Sequence, residues 1–116
     1  MVEDEEVICH ICRTVLEKEG FAVDIAANGR DAREMIDMNG YDLCLIDILT
    51  PEMSGRQLYQ WLQKKHPQLT NKVVFCTGMA MEGNMQRFLE KSGRPVLLKP
   101  FSPDELVNIV QEALQG

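Results

Sequence analysis

The chain has 116 residues, of which 45% are hydrophobic and 26% charged, and its formal net charge at pH 7 is −6. This length and composition predict one globular domain over residues 1–116. The negative charge argues against nucleic acid or an anionic membrane surface as a direct partner. Because the sequence contains no apolar run of membrane-spanning length and no secretory signal pattern, we expect the domain in the cytoplasm, with its four cysteines reduced.

Strand-like apolar runs alternate with segments of helical periodicity along the chain. Helical spacing of apolar residues predicts helices over residues 7–19, 30–38, 55–65 and 81–91, and a Ser-Pro-Asp-Glu capping box at 102–105 begins a fifth. Strands are predicted at 21–26, 41–46, 72–76 and 95–98, with a further strand ending before the acidic block at 3–6. This alternation favours an α/β fold with a parallel sheet covered by helices on both faces.

The first helix contains Cys-His-Ile-Cys, a spacing that could bind a metal or carry redox chemistry. Its predicted buried stripe is Ile8, Ile11, Cys12, Val15 and Leu16, which leaves Cys9 and His10 on the outer side. A zinc site would need a second pair of ligands, and the other two cysteines lie in separate strands. We therefore interpret this motif as structural.

Polar side chains follow four of the predicted strands. Glu3 and Asp4 follow the first, Asp47 the third, Thr77 the fourth and Lys99 the fifth. Parallel strands bring these residues to one edge of the sheet, where such folds bind ligands. Three clustered carboxylates repel one another unless a cation lies among them, and Mg²⁺ prefers oxygen ligands. A carboxylate beside such an ion can attack phosphorus, and an ammonium and a hydroxyl can stabilise the transferring phosphoryl group.

The chain resembles the receiver (response-regulator, CheY-like) domains of two-component signalling over its full length. The resemblance is carried by VEDEE, YDLCLIDILTPEMSG, VVFCTG and VLLKPFSPDEL. It implies a flavodoxin-like, doubly wound sheet of five parallel strands in the order 2-1-3-4-5, and a cis peptide bond before Pro100. Since only two residues precede the acidic pair, we expect the first strand to be truncated in this chain.

By this resemblance, Asp47 is the phosphoacceptor, and Mg²⁺ is the cofactor. Asp4 binds the ion directly, Glu3 binds it mostly through water, and the backbone carbonyl of Leu49 completes the protein ligands. Thr77 supplies the switch hydroxyl and Lys99 the phosphoryl-binding ammonium. Such a domain assists its own phosphorylation and dephosphorylation, although the parent chain could itself be a histidine kinase.

The implied partner is a histidine kinase core or a histidine phosphotransfer domain. The segments HPQLTNKVVFCTG and FLEKSGRPVLLKPF are similar to receivers at the C-terminal side of hybrid sensor histidine kinases, so the domain could be the cytoplasmic part of a membrane-bound kinase. The same resemblance leaves room for a homodimer through the face formed by residues 81–114. No contact of this domain with nucleic acid or with membrane is expected.

The sequence departs from the family pattern at three side chains. Val96 stands where the family has its switch aromatic, and the two positions that flank the phosphoryl site are the apolar Leu49 and Met79. Apolar flanks cannot orient an attacking water, so we expect a long-lived phosphorylated state.

Three other functions are compatible with parts of the pattern. A haloacid-dehalogenase-type phosphatase would need a second Asp two residues after Asp47, where Leu49 stands. A flavin-binding protein would need a phosphate-accepting loop after the first strand, where the acids stand instead. A pseudo-receiver that acts only as a protein interaction module remains the main alternative.

Overall fold

The computed structural model describes residues 1–48, 53–78 and 83–115. Within these ranges the helices are α1 (Glu6–Lys18), α2 (Gly29–Met38), α3 (Gly55–Lys65), α4 (Gly83–Ser92) and α5 (Pro103–Gln115), and the strands are β1 (Cys44–Asp47), β2 (Val73–Thr77) and β3 (Val96–Leu98). A 3₁₀ helix over Pro67–Lys72, which the apolar pattern did not predict, follows α3. No helix in the described ranges is both long and apolar enough to cross a bilayer.

The strands form a parallel sheet in the order β1-β2-β3. Val2 lies beside β1 and forms parallel bridges to Ile46 on one side and to Ala26 on the other. The neighbouring segments therefore run Ala26, Val2, β1, β2 and β3, which is the predicted 2-1-3-4-5 order. A sheet arranged in this way brings the residues after Val2, β1, β2 and β3 to one edge.

The described residues contain three strands rather than the five predicted. Residues 21–26 and the segment before Glu3 contribute only isolated bridges. Ala26 accepts a backbone hydrogen bond from Glu3 (3.0 Å) and donates one to Met1 (2.9 Å), and the amino group of Met1 donates to the Asp24 carbonyl (2.7 Å). In the described ranges, the residues that pair with residues 21–26 are Met1, Val2 and Glu3, and a ladder needs more paired backbone groups than these.

Helices cover both faces of the sheet. Apolar side chains of α1 and α5 pack on one face, and those of α2, α3 and α4 pack on the other. The strands are buried along their whole length in β1 and β2, as expected for a sheet covered on both sides. The predicted capping box is confirmed, because Ser102 Oγ accepts from the Glu105 amide and Glu105 Oε1 accepts from the Ser102 amide, both at 3.1 Å.

The predicted buried stripe of α1 is wrong at two residues. Cys9, expected on the outer side, is 7% exposed, whereas Ile11, expected in the core, is 50% exposed. The helix is rotated so that Cys9, Cys12 and Leu16 are buried. The Cys9 thiol lies against the backbone of the acidic segment and donates a hydrogen bond to the Glu3 carbonyl (3.4 Å).

All four cysteines are buried and free, and neither a disulfide nor a cysteine-containing metal cluster occurs in the described ranges. Burial raises the pKa of Cys12 and of Cys44 to about 11, so their thiols stay protonated at neutral pH. The structural interpretation of the Cys-His-Ile-Cys motif fits this burial, since thiolates are the reactive and metal-binding form.

Candidate functional site

Three carboxylates meet at the carboxyl edge of the sheet. Glu3 and Asp4 follow the Val2 bridge, and Asp47 is the last residue of β1. One oxygen from each of the three lies within 4.8 Å of the others. Their exposures differ, because Glu3 and Asp47 are buried and Asp4 is exposed to solvent. Asp4 is therefore the carboxylate of this group that a solvated ion or a reacting molecule reaches first.

The Lys99 ammonium joins two of these carboxylates. Its Nζ lies 2.6 Å from Glu3 Oε1, 2.9 Å from Asp47 Oδ2 and 3.8 Å from Glu5 Oε1. The Lys99 side chain is only 13% exposed, so solvent screens these contacts less than it screens surface pairs. The sequence analysis did not include Glu5 among the site residues, although its position in the acidic block at 3–6 could have indicated it.

The backbone around Lys99 fixes where its side chain begins. The Lys99 amide donates to the Thr77 carbonyl at 2.8 Å, which extends the β2–β3 pairing by one residue. The following bond, Lys99-Pro100, is cis, as the family resemblance implied. The Lys99 side chain then passes close to Gly78. A Cβ atom added to Gly78 would lie 3.8 Å from both the Cβ and the Cδ of Lys99. Lys99 is thus held on β2 and directed toward the end of β1.

Burial and the ammonium act in opposite directions on the carboxylates. Burial raises the pKa of Glu3, while its hydrogen bonds from Lys99 and from the Glu5 amide (3.2 Å) oppose that rise. Burial alone would lower the pKa of Lys99, but the hydrogen bonds to Glu3 and Asp47 outweigh it, and the net pKa lies above its usual value. The lysine therefore remains charged throughout the physiological range.

The donor set suits a hard divalent cation. Carboxylate oxygens are the ligands that Mg²⁺ prefers, and the three carboxylates here outnumber the ammonium that partly neutralises them. Lys99 occupies one oxygen of Glu3 and one of Asp47. The Glu5 amide donates to the other Glu3 oxygen, so the carboxylate of Asp4, which is open to water, is the most accessible ligand for an ion. Leu49, the predicted carbonyl ligand, lies outside the described residues.

Thr77 ends β2 at the same edge of the sheet. It follows Cys76, whose Cα pairs in register with that of Asp47, and its side chain is buried. The structure thus brings Glu3, Asp4, Asp47 and Lys99 into one cluster and places Thr77 on the neighbouring strand end. Met79, predicted to flank the site, lies outside the described residues.

Comparisons with known proteins identify the family of the chain. Residues 1–111 match the family described as the response regulator receiver domain. The chain belongs to the response regulator receiver family. It is 33% identical over 115 residues to the transcriptional regulatory protein SrrA of Staphylococcus aureus, an alignment that covers 99% of this chain and 46% of that protein. The chain therefore spans about half the length of the curated relatives it matches.

Two solved receiver domains show the same fold. A CheY-like response regulator receiver domain from Methanospirillum hungatei superposes with a TM-score of 0.88 at 30% identity, covering 98% of this chain and 90% of the other. The signal receiver domain of a signal transduction histidine kinase from Syntrophus aciditrophicus gives 0.87 at 27% identity, covering 99% and 87%. The predicted receiver family and α/β fold class are confirmed. These relatives include both a regulator and a kinase receiver, and the hybrid-kinase placement stays a prediction.

Proposed function

We propose that this receiver domain accepts a phosphoryl group from a phosphohistidine donor on Asp47, and that residues 1–116 form one such domain. The observation that carries the proposal is the position of the Lys99 ammonium, which contacts both Glu3 and the last residue of β1. A largely buried lysine that bridges two acids at the ligand-binding edge of a parallel sheet provides positive charge where a phosphoryl group would arrive.

In the proposed reaction, a carboxylate oxygen of Asp47 attacks phosphorus. The new O–P bond forms as the N–P bond of the phosphohistidine breaks, and the imidazole nitrogen keeps the electron pair and takes up a proton. Lys99 already contacts Asp47 Oδ2 at 2.9 Å and is placed to neutralise charge on the acyl phosphate. Thr77 would donate its hydroxyl proton to a phosphoryl oxygen.

Mg²⁺ fits the acidic cluster, and we assign its protein ligands to Asp4, Asp47 and the Leu49 carbonyl, with Glu3 acting mostly through water. The exposure of Asp4 supports its direct role, and Glu3 supports an indirect one because both of its carboxylate oxygens already accept hydrogen bonds, from Lys99 and from the Glu5 amide. When bound, the ion would supply positive charge to the phosphoryl oxygens. The protein would determine where the ion binds, because carboxylate oxygens from two separate segments, Glu3 with Asp4 and Asp47, lie close together.

The donor would be a histidine kinase core or a histidine phosphotransfer domain. Lys99 lines a hollow of about 370 Å³, whose other lining residues include Ile8, Ile11, Pro100 and Phe101. This apolar surface beside the lysine supports the docking of a protein donor. We further propose that the domain lies in the cytoplasm, that its parent is a hybrid histidine kinase, and that it forms a homodimer through residues 81–114.

Phosphorylation by a small-molecule donor tests the proposal. The wild-type domain, incubated with acetyl phosphate and Mg²⁺, should gain one phosphoryl group in intact-protein mass spectrometry, and Asp47→Asn should gain none. Asp42→Asn is the matched control, because Asp42 is an exposed acid shortly before the other end of β1. Labelling of Asp47→Asn at the wild-type level would refute the assignment.

The same assay separates the alternatives. A persistent acyl phosphate supports the receiver function, continuous release of inorganic phosphate would indicate a phosphatase, and an unlabelled wild type would favour the pseudo-receiver. Beryllofluoride, which mimics the phosphoryl group, provides a second measurement through amide chemical shifts around Asp47, Thr77 and Lys99.

A further inference from the structure

In the part of the chain that the structure describes, three helices begin at a glycine, and the surroundings of these glycines differ. A Cβ built on Gly55, the first residue of α3, would lie 2.8 Å from Ile48 Cα and 3.0 Å from the Asp47 carbonyl oxygen. A Cβ built on Gly83, the first described residue of α4, would have no atom of the described residues within 4 Å. Within the described residues, a methyl group therefore has room at Gly83 but none at Gly55, where the obstacles are backbone atoms of Ile48 and of the acceptor Asp47.

The backbone at Asp47 is held from three directions. Its amide donates to the Val2 carbonyl at 2.9 Å, and the Ile48 amide donates to the Cys76 carbonyl at 3.0 Å. The third contact is Gly55, whose amide donates to the Ile48 carbonyl at 3.1 Å. Two neighbouring strand segments thus restrain the acceptor laterally, and the first turn of α3 closes against it from another side.

The start of α3 is itself fixed. Ser54 Oγ accepts from the Gln57 amide (3.2 Å), and the Ser54 amide donates to Gln57 Oε1 (3.0 Å), which together form a capping box. The start of α2 packs closely against the residue before Ser54. A Cβ built on Gly29 would lie 2.3 Å from the carbonyl oxygen of that residue, Met53. Two glycines thus let the start of α2 approach Met53 and the start of α3 approach the end of β1.

We propose that Gly55 is a positioning residue for phosphoryl acceptance. By lacking a side chain, it lets α3 lie directly on the Asp47 carbonyl and the Ile48 Cα, and this contact sets the direction of the Asp47 carboxylate relative to Asp4 and Lys99. The inference rests on the proposed function of Asp47. Displacements of tenths of an ångström matter here because in-line transfer depends on the placement of the attacking oxygen.

The test compares Gly55→Ala with Gly83→Ala, two identical substitutions at the first residue of a helix. Each variant is labelled with acetyl phosphate at saturating Mg²⁺, at a temperature where urea titration shows it to be folded, and its Mg²⁺ affinity is measured by calorimetry. We expect Gly55→Ala to be labelled about tenfold more slowly than wild type, while Gly83→Ala stays within about twofold. A role in stability alone would lower the melting temperature without changing the rate for folded protein.

Labelling of folded Gly55→Ala at the rate of Gly83→Ala would overturn the proposal. If Gly55→Ala does not fold, Ser54→Ala decides, because it removes the hydroxyl that caps α3 and adds no atom to the contact. Slower labelling of folded Ser54→Ala supports the proposal, and an unchanged rate overturns it. An unlabelled wild type would reject the proposed function of Asp47 and this inference with it, whereas a labelled wild type isolates the role of Gly55.

Discussion

The apolar part of the sheet and its carboxyl edge are built from the same strands but are stabilised in different ways. β1 and β2 are buried throughout, and most of their residues pack between helices on both faces. Their last residues, Asp47 and Thr77, are buried and polar, and they lie at the edge that holds Glu3 and Lys99. In β1, for example, Ile46 packs in the apolar core, and the next residue, Asp47, contacts the Lys99 ammonium.

This difference determines what each region responds to. Burial of apolar surface has no direction, so the core responds to changes in side-chain volume. The edge responds to charge, because Glu3, Asp47 and Lys99 are buried or nearly so, and each depends on the others. Mutations in the two regions should therefore differ in their response to a divalent cation.

The largest stability effect is expected from Phe75 in the core. Its side chain is fully buried, and its ring contacts those of Tyr59 (centroids 5.4 Å apart) and Phe88 (5.7 Å) edge-on. Phe75→Ala should lower the free energy of unfolding by about 4 kcal/mol in urea titrations. The loss should be the same with and without Mg²⁺.

The control for this prediction is Val7→Ala, which removes apolar atoms from a side chain that is 73% exposed and should change stability by less than about 0.5 kcal/mol. A loss at Phe75 that Mg²⁺ restores would contradict the separation of core and edge.

A smaller and ion-dependent effect is expected from Lys99. Lys99→Met keeps most of the side-chain volume but leaves Glu3 and Asp47 without their ammonium, which should cost about 3 kcal/mol in metal-free buffer. Millimolar Mg²⁺ should recover much of this loss, because the ion takes over the neutralisation of the acids. Lys64→Met, at an exposed residue in the last turn of α3, is the control. Equal losses with and without Mg²⁺ would show that Lys99 acts by packing alone.

The sequence predicted the edge of the sheet better than the packing of the helices. Asp47, Thr77 and Lys99 follow apolar runs directly, and parallel strands must bring such residues to one edge. The capping box at Ser102 was equally accessible, since its hydrogen bonds join residues three apart. Strand direction was sufficient to predict the residues at the edge, and short-range hydrogen bonding was sufficient to predict the capping box.

Tertiary contacts decided the features that the sequence did not reveal. Periodicity gives α1 an apolar stripe but not the rotation that buries Cys9 and exposes Ile11. Buried Glu3 contacts Lys99, which is 96 residues away in the chain, whereas its neighbour Asp4 is exposed. The close approach of Gly55 to Asp47 is likewise invisible in a sequence where Gly83 occupies an equivalent helix start.

The smallest of the effects is expected from Mg²⁺ on the wild-type domain. The ion binds the acids assembled at the edge and not the unfolded chain, so at roughly ten times its Kd it should raise the free energy of unfolding by about 1.4 kcal/mol. Asp4→Asn should lose most of this gain, since it removes the exposed carboxylate of the cluster. Without metal, the same variant should be at least as stable as wild type, because one repelling charge is gone.

Urea titrations at several Mg²⁺ concentrations measure both consequences of Asp4→Asn. Asp42→Asn is the control, since Asp42 is exposed and lies outside the acidic cluster, and it should keep the full gain. Sodium chloride at matched ionic strength separates specific binding from screening, which acts on all exposed charges. A gain that sodium chloride reproduces, or that Asp4→Asn retains, would mean that these acids do not bind the ion and that Lys99 alone offsets their repulsion.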